Sequence, residues 1–278
     1  MKLCYVNGRF TPPEEAALPL SDLLIQRGVG VFEVIGTYGG RPLLLTPHLE
    51  RLLNGAERER IRPTLSMEDM KRLVREGLAR AGADVQVKVY LSGGDIFDGV
   101  EGFTAPRFFM IFEELSLPPR EAYEEGVVLE PLPFGRKDPA VKGVDYRTAY
   151  ALSQSGTFEV LYCPDGEITE AGHSTFFLVL EGRLVTAPLS RVLKGTTRSV
   201  ILELARAEGI ETQERCPRVD ELSRASEAFI TGSVKKVVPV VRVGEQRIGT
   251  GRPGPVATRL LKLYLDCIQK WLEGGAAP

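Results

Sequence analysis

The 278-residue chain carries 35 Lys and Arg against 37 Asp and Glu, a formal charge of −2. That balance excludes the basic surface through which proteins displace counterions from nucleic acid. Apolar residues at 43% and charged residues at 26% exclude a disordered chain, and the length admits one large domain or two smaller ones with cores of their own.

Asn7-Gly8 between Tyr5-Val6 and Phe10 predicts a tight hairpin, and Gly39-Gly40 between Val31–Tyr38 and Pro42–Leu45 a second. A helix follows, with Thr46 as its cap, Pro47 in its first turn and Leu49, Leu52, Leu53 and Ala56 on one face. Another opens at Ser66 with Asp69 as capping partner and stops at Gly82. Val85–Leu91 and Arg107–Phe112 read as strands. The proline-broken stretch after Leu115 divides residues 1–117, an N-terminal domain, from a linker at 118–125 and a C-terminal domain at 126–278. Beyond it, Gly126–Leu132, Phe158–Cys163, Glu227–Thr231 and Val237–Val243 read as strands, with hairpin turns at Asp165-Gly166 and Glu181-Gly182. Thr196 caps a helix, and the chain closes on a helix striped by Leu260, Tyr264, Ile268 and Trp271. Many antiparallel strands beside few helices give an α+β class.

No apolar run approaches the roughly 18 residues of a membrane span. Residues 1–8 turn polar too early for a signal peptide. Cys4, Cys163, Cys216 and Cys267 are scattered and match no zinc spacing, so reduced thiols in a cytoplasmic protein are expected. His48 and His173 are the only histidines, which weighs against histidine-rich metal sites.

Four segments carry chemistry. Gly195-Thr196-Thr197-Arg198 stands where a helix begins, a place whose backbone N–H groups and dipole suit a phosphate or a plain cap. Thr231-Gly232-Ser233 follows an apolar strand and offers hydroxyls to an anion. Lys142 has apolar neighbours, the setting that favours the neutral amine needed for imine chemistry, although most such lysines reach solvent. Lys235 and Lys236 are rivals on the same ground. Glu170 lies in a polar turn and reads locally as an exposed carboxylate.

In this order, the segments resemble the class IV (fold type IV) pyridoxal-phosphate aminotransferases, which include branched-chain aminotransferases, D-amino-acid transaminases and aminodeoxychorismate lyases. The likeness spans nearly the whole chain. It runs through Gly30-Val31-Phe32-Glu33, Pro47-His48-Leu49-Glu50-Arg51-Leu52, Lys142-Gly143-Val144-Asp145, Glu170 to Phe177, Leu193 to Arg198, and Thr231-Gly232-Ser233 with Pro239-Val240. The resemblance implies an N-terminal two-layer α/β domain, a barrel-like C-terminal α/β domain that anchors the cofactor, and a homodimer.

It also implies roles. Lys142 would be the Schiff-base lysine and the proton shuttle. Glu170 would face the pyridine nitrogen of pyridoxal 5'-phosphate and keep the ring an electron sink. Arg51 would hold the phosphate with Thr196, Thr197 and the Ser233 turn, and Tyr146 would contact the ring. Asp145 and Thr175 stand where the family usually has Asn, and Val234 where a hydroxyl is common.

At the substrate end, Arg27 falls where the family commonly has an aromatic residue, and Phe32 replaces a tyrosine frequent in D-specific members. Residues 87–94 lack the arginine with which typical D-amino-acid transaminases bind the substrate carboxylate. The expectation is that Arg27 takes over that carboxylate. The expected reaction is a ping-pong exchange between an amino acid, favoured as the D form, and a 2-oxo acid. A branched-chain L-specific enzyme, a lyase acting on aminodeoxychorismate and a non-catalytic scaffold are the alternatives.

Overall fold

The computed structural model describes residues 2–151 and 157–278. The chain divides into two compact units: Met1–Ser116 with Val141–Asp145, and Leu117–Ala140 with Tyr146–Pro278.

In the first unit, β1 (Leu3–Val6) and β2 (Arg9–Thr11) form the hairpin expected at Asn7-Gly8, both of which take positive φ. Helix α1 (Leu23–Arg27) precedes β3 (Gly30–Tyr38), β4 (Arg41–Pro42), α2 (Leu45–Arg58), α3 (Met67–Ala81) and β5 (Val85–Ser92). A small hairpin, β6 (Phe97–Asp98) with β7 (Gly102–Phe103), leads to β8 (Arg107–Glu114). The main sheet has the order β2-β1-β8-β5-β3-β4, with every pairing antiparallel. One face carries Val31, Ile35, Val87, Val89, Met110 and Phe112 into a core with the apolar stripes of α2 and α3. Ser66 caps α3 by accepting from the Asp69 N–H at 3.1 Å, and Gly82 ends it in the left-handed region. Helix α2 departs from expectation. Its cap is Leu44, at φ +53, and not Thr46, because Leu43, Leu44 and Leu45 are all buried and their burial outweighs a hydroxyl cap.

Two boundaries also differ from the sequence reading. Residues 118–125, expected as a linker, open the second unit and hold α4 (Arg120–Glu124), whose Ala122 is buried and whose N-cap is Pro119. Val141–Asp145, expected in the C-terminal domain, belongs with the first unit. The Phe32 N–H donates to the Lys142 carbonyl at 3.0 Å, and the Val144 N–H to the Gly30 carbonyl at 3.2 Å. The segment thus adds a short antiparallel bridge to the start of β3.

The second unit continues with β9 (Val127–Leu132), α5 (Arg147–Ala151), β10 (Glu159–Tyr162), β11 (Thr175–Leu180) and β12 (Arg183–Thr186). Then come α6 (Thr196–Ala207), β13 (Thr212–Glu214), β14 (Glu227–Gly232), β15 (Lys236–Val243), β16 (Gln246–Arg247) and α7 (Pro255–Leu272). The sheet runs β10-β9-β15-β14-β11-β12-β13, with β16 on β15. Strand β9 is parallel to both of its neighbours, whereas β15, β14, β11 and β12 are antiparallel in turn. Asp165 and Gly166, both at positive φ, return the chain so that residues 169–172 hydrogen-bond back along β10. Glu181-Gly182 makes the β11–β12 turn. Helix α7 starts on a buried carboxylate: Glu227 accepts from the Val256 and Ala257 N–H groups, each at 3.0 Å. Helix α6 begins at Thr196 with Gly195 as N-cap, and no side chain caps it.

Candidate active site

In the first unit, strand alternation puts Glu33 on the same buried face as Val31 and Ile35. A carboxylate in an apolar core needs partners. It finds them in α2, where His48 and Arg51 lie three residues apart on one face. His48 Nδ1 is 2.7 Å from Glu33 Oε2, Arg51 Nε donates to Oε1 at 2.6 Å, and Arg51 Nη2 donates to Oε2 at 2.7 Å. Burial alone would raise the Glu33 pKa, but Arg51 and His48 more than offset it and hold the carboxyl at about 2. Burial pushes the His48 imidazole below its ordinary value despite the neighbouring carboxylate. Arg51, the residue expected to hold phosphate, is therefore locked by two of its own N–H groups.

Lys142 is half-buried, and its Nζ stands 4.7 Å from the centroid of the Phe32 ring. Phe32 stacks on Tyr90 at 5.5 Å, and Tyr90 on Phe109 at 4.8 Å, a ladder across β3, β5 and β8 on the face opposite Glu33. The amine thus sits at the end of a row of rings, with its main chain pinned to β3. Arg27 is exposed at the last position of α1, where its Nη1 donates to the Gln26 carbonyl at 2.9 Å.

In the second unit, the return strand after Asp165-Gly166 buries Glu170. Glu170 is not the exposed carboxylate that its local sequence suggested. Arg136 Nε is 3.1 Å from its Oε1, and the Leu193 N–H donates to Oε2 at 3.3 Å. Tyr146 lies under the Arg136 guanidinium, 5.5 Å from ring centroid to Cζ, and stacks on His173 at 4.8 Å. A second buried acid, Glu159, pairs with Lys235 and accepts from Ser174 Oγ at 2.7 Å and from the His173 N–H at 2.8 Å. Burial would raise its pKa, but Lys235 and the hydrogen bonds bring it below the ordinary value. Lys235 is thus committed to an ion pair. Burial lowers the pKa of Lys236, which starts β15 at φ +61.

The N-terminus of α6 meets the turn after β14. Thr196 Oγ1 lies 3.4 Å from Ser233 Oγ. The first N–H groups of a helix have no acceptor within it. Among the described residues Thr231 Oγ1 is buried without a hydrogen-bond partner, and a side chain at Gly195 would meet Thr175 Oγ1 at 2.7 Å. Uncapped N–H groups, hydroxyls and an orphaned buried oxygen fit a phosphate. Thr197 Oγ1 is likewise buried and has no hydrogen-bond partner among the described residues. Arg198 is spent elsewhere, on the Ala187 carbonyl at 2.8 Å and Glu214 at 3.0 Å.

Sequence reasoning missed Arg136, Glu159, His48 and the clamp on Arg51. A charged residue at an apolar position of a strand pattern, as at Glu33, is a sequence signal that points to the need for partners such as His48 and Arg51.

The family model described as amino-transferase class IV matches residues 30–243. The protein named "Probable branched-chain-amino-acid aminotransferase" of Thermotoga maritima is 30% identical, over 97% of this chain and 99% of its own length. The D-alanine aminotransferase of Bacillus licheniformis is 27% identical, over 92% of this chain and 93% of its own. A solved branched-chain amino acid aminotransferase from T.th., with pyridoxamine 5'-phosphate, is similar at a TM-score of 0.88 and 26% identity, covering 97% of this chain and 94% of that one. The mixed α+β fold is that of the fold type IV aminotransferases. Among the described residues, no helix is long and apolar enough to cross a membrane. The chain belongs to the class IV aminotransferases and is a transaminase.

Proposed function

We propose that this transaminase works with pyridoxal 5'-phosphate held at Lys142 and moves amino groups between D-amino acids and 2-oxo acids. The observation that carries the cofactor reading is the position of Lys142: an amine on a main chain pinned to β3, facing an aromatic ring. The bound cofactor would supply the electron sink that makes the substrate α-carbon acidic. The Lys142 Nζ would take and return the α-proton. The Glu170 carboxylate would accept a hydrogen bond from the ring nitrogen. The N–H groups of Thr196 and Thr197, the Ser233 hydroxyl and the guanidinium of Arg51 would hold the phosphate. Tyr146 would contact the ring. A homodimer in the cytoplasm is the expected working form.

The D-amino-acid reading rests on Arg27, an exposed arginine whose guanidinium would grip the substrate carboxylate in two-pronged fashion. The branched-chain name of the T. maritima relative favours a second reading, transamination of branched-chain L-amino acids. Steady-state assays with D-alanine, D-glutamate, L-leucine and L-glutamate against 2-oxoglutarate separate the two. Turnover of the D donors, with a KM that rises in Arg27→Ala, supports the first reading. Turnover of L-leucine alone, or an unchanged KM, rejects it. Release of pyruvate from aminodeoxychorismate without amino transfer would identify a lyase.

A further inference from the structure

Arg136 has no role in the reading above, yet it pairs directly with Glu170. Its side chain is only 16% exposed. Nε faces Glu170 Oε1 at 3.1 Å, and Nη2 donates to the Gly172 carbonyl at 3.3 Å and the Tyr146 hydroxyl at 3.5 Å. Glu170 and Gly172 belong to the same returning segment, so one guanidinium holds both that segment and the carboxylate on it. The second oxygen of Glu170 is held by the Leu193 N–H. A carboxylate with a donor on each oxygen has its plane fixed.

Charge points the same way. A buried carboxyl beside a cation stays ionised, whereas the same group without one is driven to protonate. Burial would lower the Arg136 pKa, but Glu170 and Tyr146 more than compensate and raise it. Titratable groups around the pair among the described residues include Tyr162 and Glu159 on β10, Lys235 bound to Glu159, and His173 against Tyr146. Burial raises the Tyr162 phenol, which keeps it neutral throughout the working range.

We propose that Arg136 is a positioning residue for Glu170: it fixes the orientation of the carboxylate and keeps it ionised toward the cofactor's ring nitrogen. The proposal rests on the role given to Glu170 above, and its test separates the two.

The variants are Arg136→Gln, Arg136→Lys, Glu170→Gln and the Arg136→Gln/Glu170→Gln double, all in the full chain. The first readout is the protonated-carboxyl band in infrared pH titrations of the pyridoxal phosphate-loaded protein. Its Glu170 component is identified by its loss in Glu170→Gln. In Arg136→Gln the midpoint of that component rises by about 1–3 pH units. In Arg136→Lys, which keeps the charge, it stays near the parent value. The second readout is the Kd for pyridoxal phosphate. Each single Gln variant weakens it about tenfold, and the double is no weaker than the weaker single, because both act through one carboxylate. An unshifted midpoint in Arg136→Gln, or effects that multiply in the double, overturns the proposal. An unchanged Kd in Glu170→Gln overturns the role of Glu170 on which it rests.

Discussion

Arg51 meets Glu33 side by side, Nε to Oε1 at 2.6 Å and Nη2 to Oε2 at 2.7 Å, and the carboxylate has no exposed surface. The pair explains how a cation can be kept within a tenth of full burial on α2. It also fixes the guanidinium plane in advance, so that in the phosphate-holding role proposed for Arg51 little ordering entropy would be lost.

Glu33→Gln should therefore destabilise the chain by about 3–5 kcal/mol, since it strands Arg51 in the core. Denaturant unfolding at neutral pH measures this. The pH dependence has a definite sign. The Glu33 carboxyl is held at about 2, below its ordinary 4.5, so its contribution is present above pH 4.5 and is lost as pH falls toward 2. His48, depressed below its ordinary 6.5, adds a loss that begins as pH falls through 6.5. The Gln variant should lose most of the steep acid limb of the parent. An unchanged limb would show that Glu33 is not the group that titrates.

Gly77→Ala should cost about 1–3 kcal/mol in chemical denaturation, against the usual gain for Ala over Gly inside a helix. A methyl at this position of α3 would lie 2.0 Å from the Phe112 ring tip on β8. Phe112→Leu, by making room, should recover part of the loss in the double variant. Additive losses would argue that the close approach does not limit packing.

Lys235→Met removes the cation facing buried Glu159. The variant should lose about 3–5 kcal/mol at neutral pH and less of it in acid, where the carboxyl can protonate. It should nonetheless still turn yellow with pyridoxal phosphate, unlike Lys142→Met. Loss of colour in a folded Lys235→Met chain would make Lys235 the reactive amine.

What could be read from the sequence was whatever neighbours in the chain decide. Asn7-Gly8 requires positive φ at both positions, and Ser66, Asp69 and Gly82 carry both caps of α3 among themselves. What could not be read depends on pairing between distant segments. The Val141–Asp145 segment joins the first unit through hydrogen bonds to Gly30 and Phe32, a partnership that no local pattern records. Glu170 looked exposed because the turn around it is polar, and Arg136, which lets it be buried, lies in a different part of the chain. Thr46 failed as a cap for a similar reason: its claim was local, whereas the burial of three leucines was not.

The central claim is that Lys142 carries the reactive amine. Reduction of the pyridoxal phosphate-loaded protein with borohydride, followed by peptide mass spectrometry, tests it most directly. The pyridoxyl mass should appear on the peptide containing Lys142 and be absent from those containing Lys235 and Lys236. A stable tag on either of those two, or no tagged lysine at all, would contradict it.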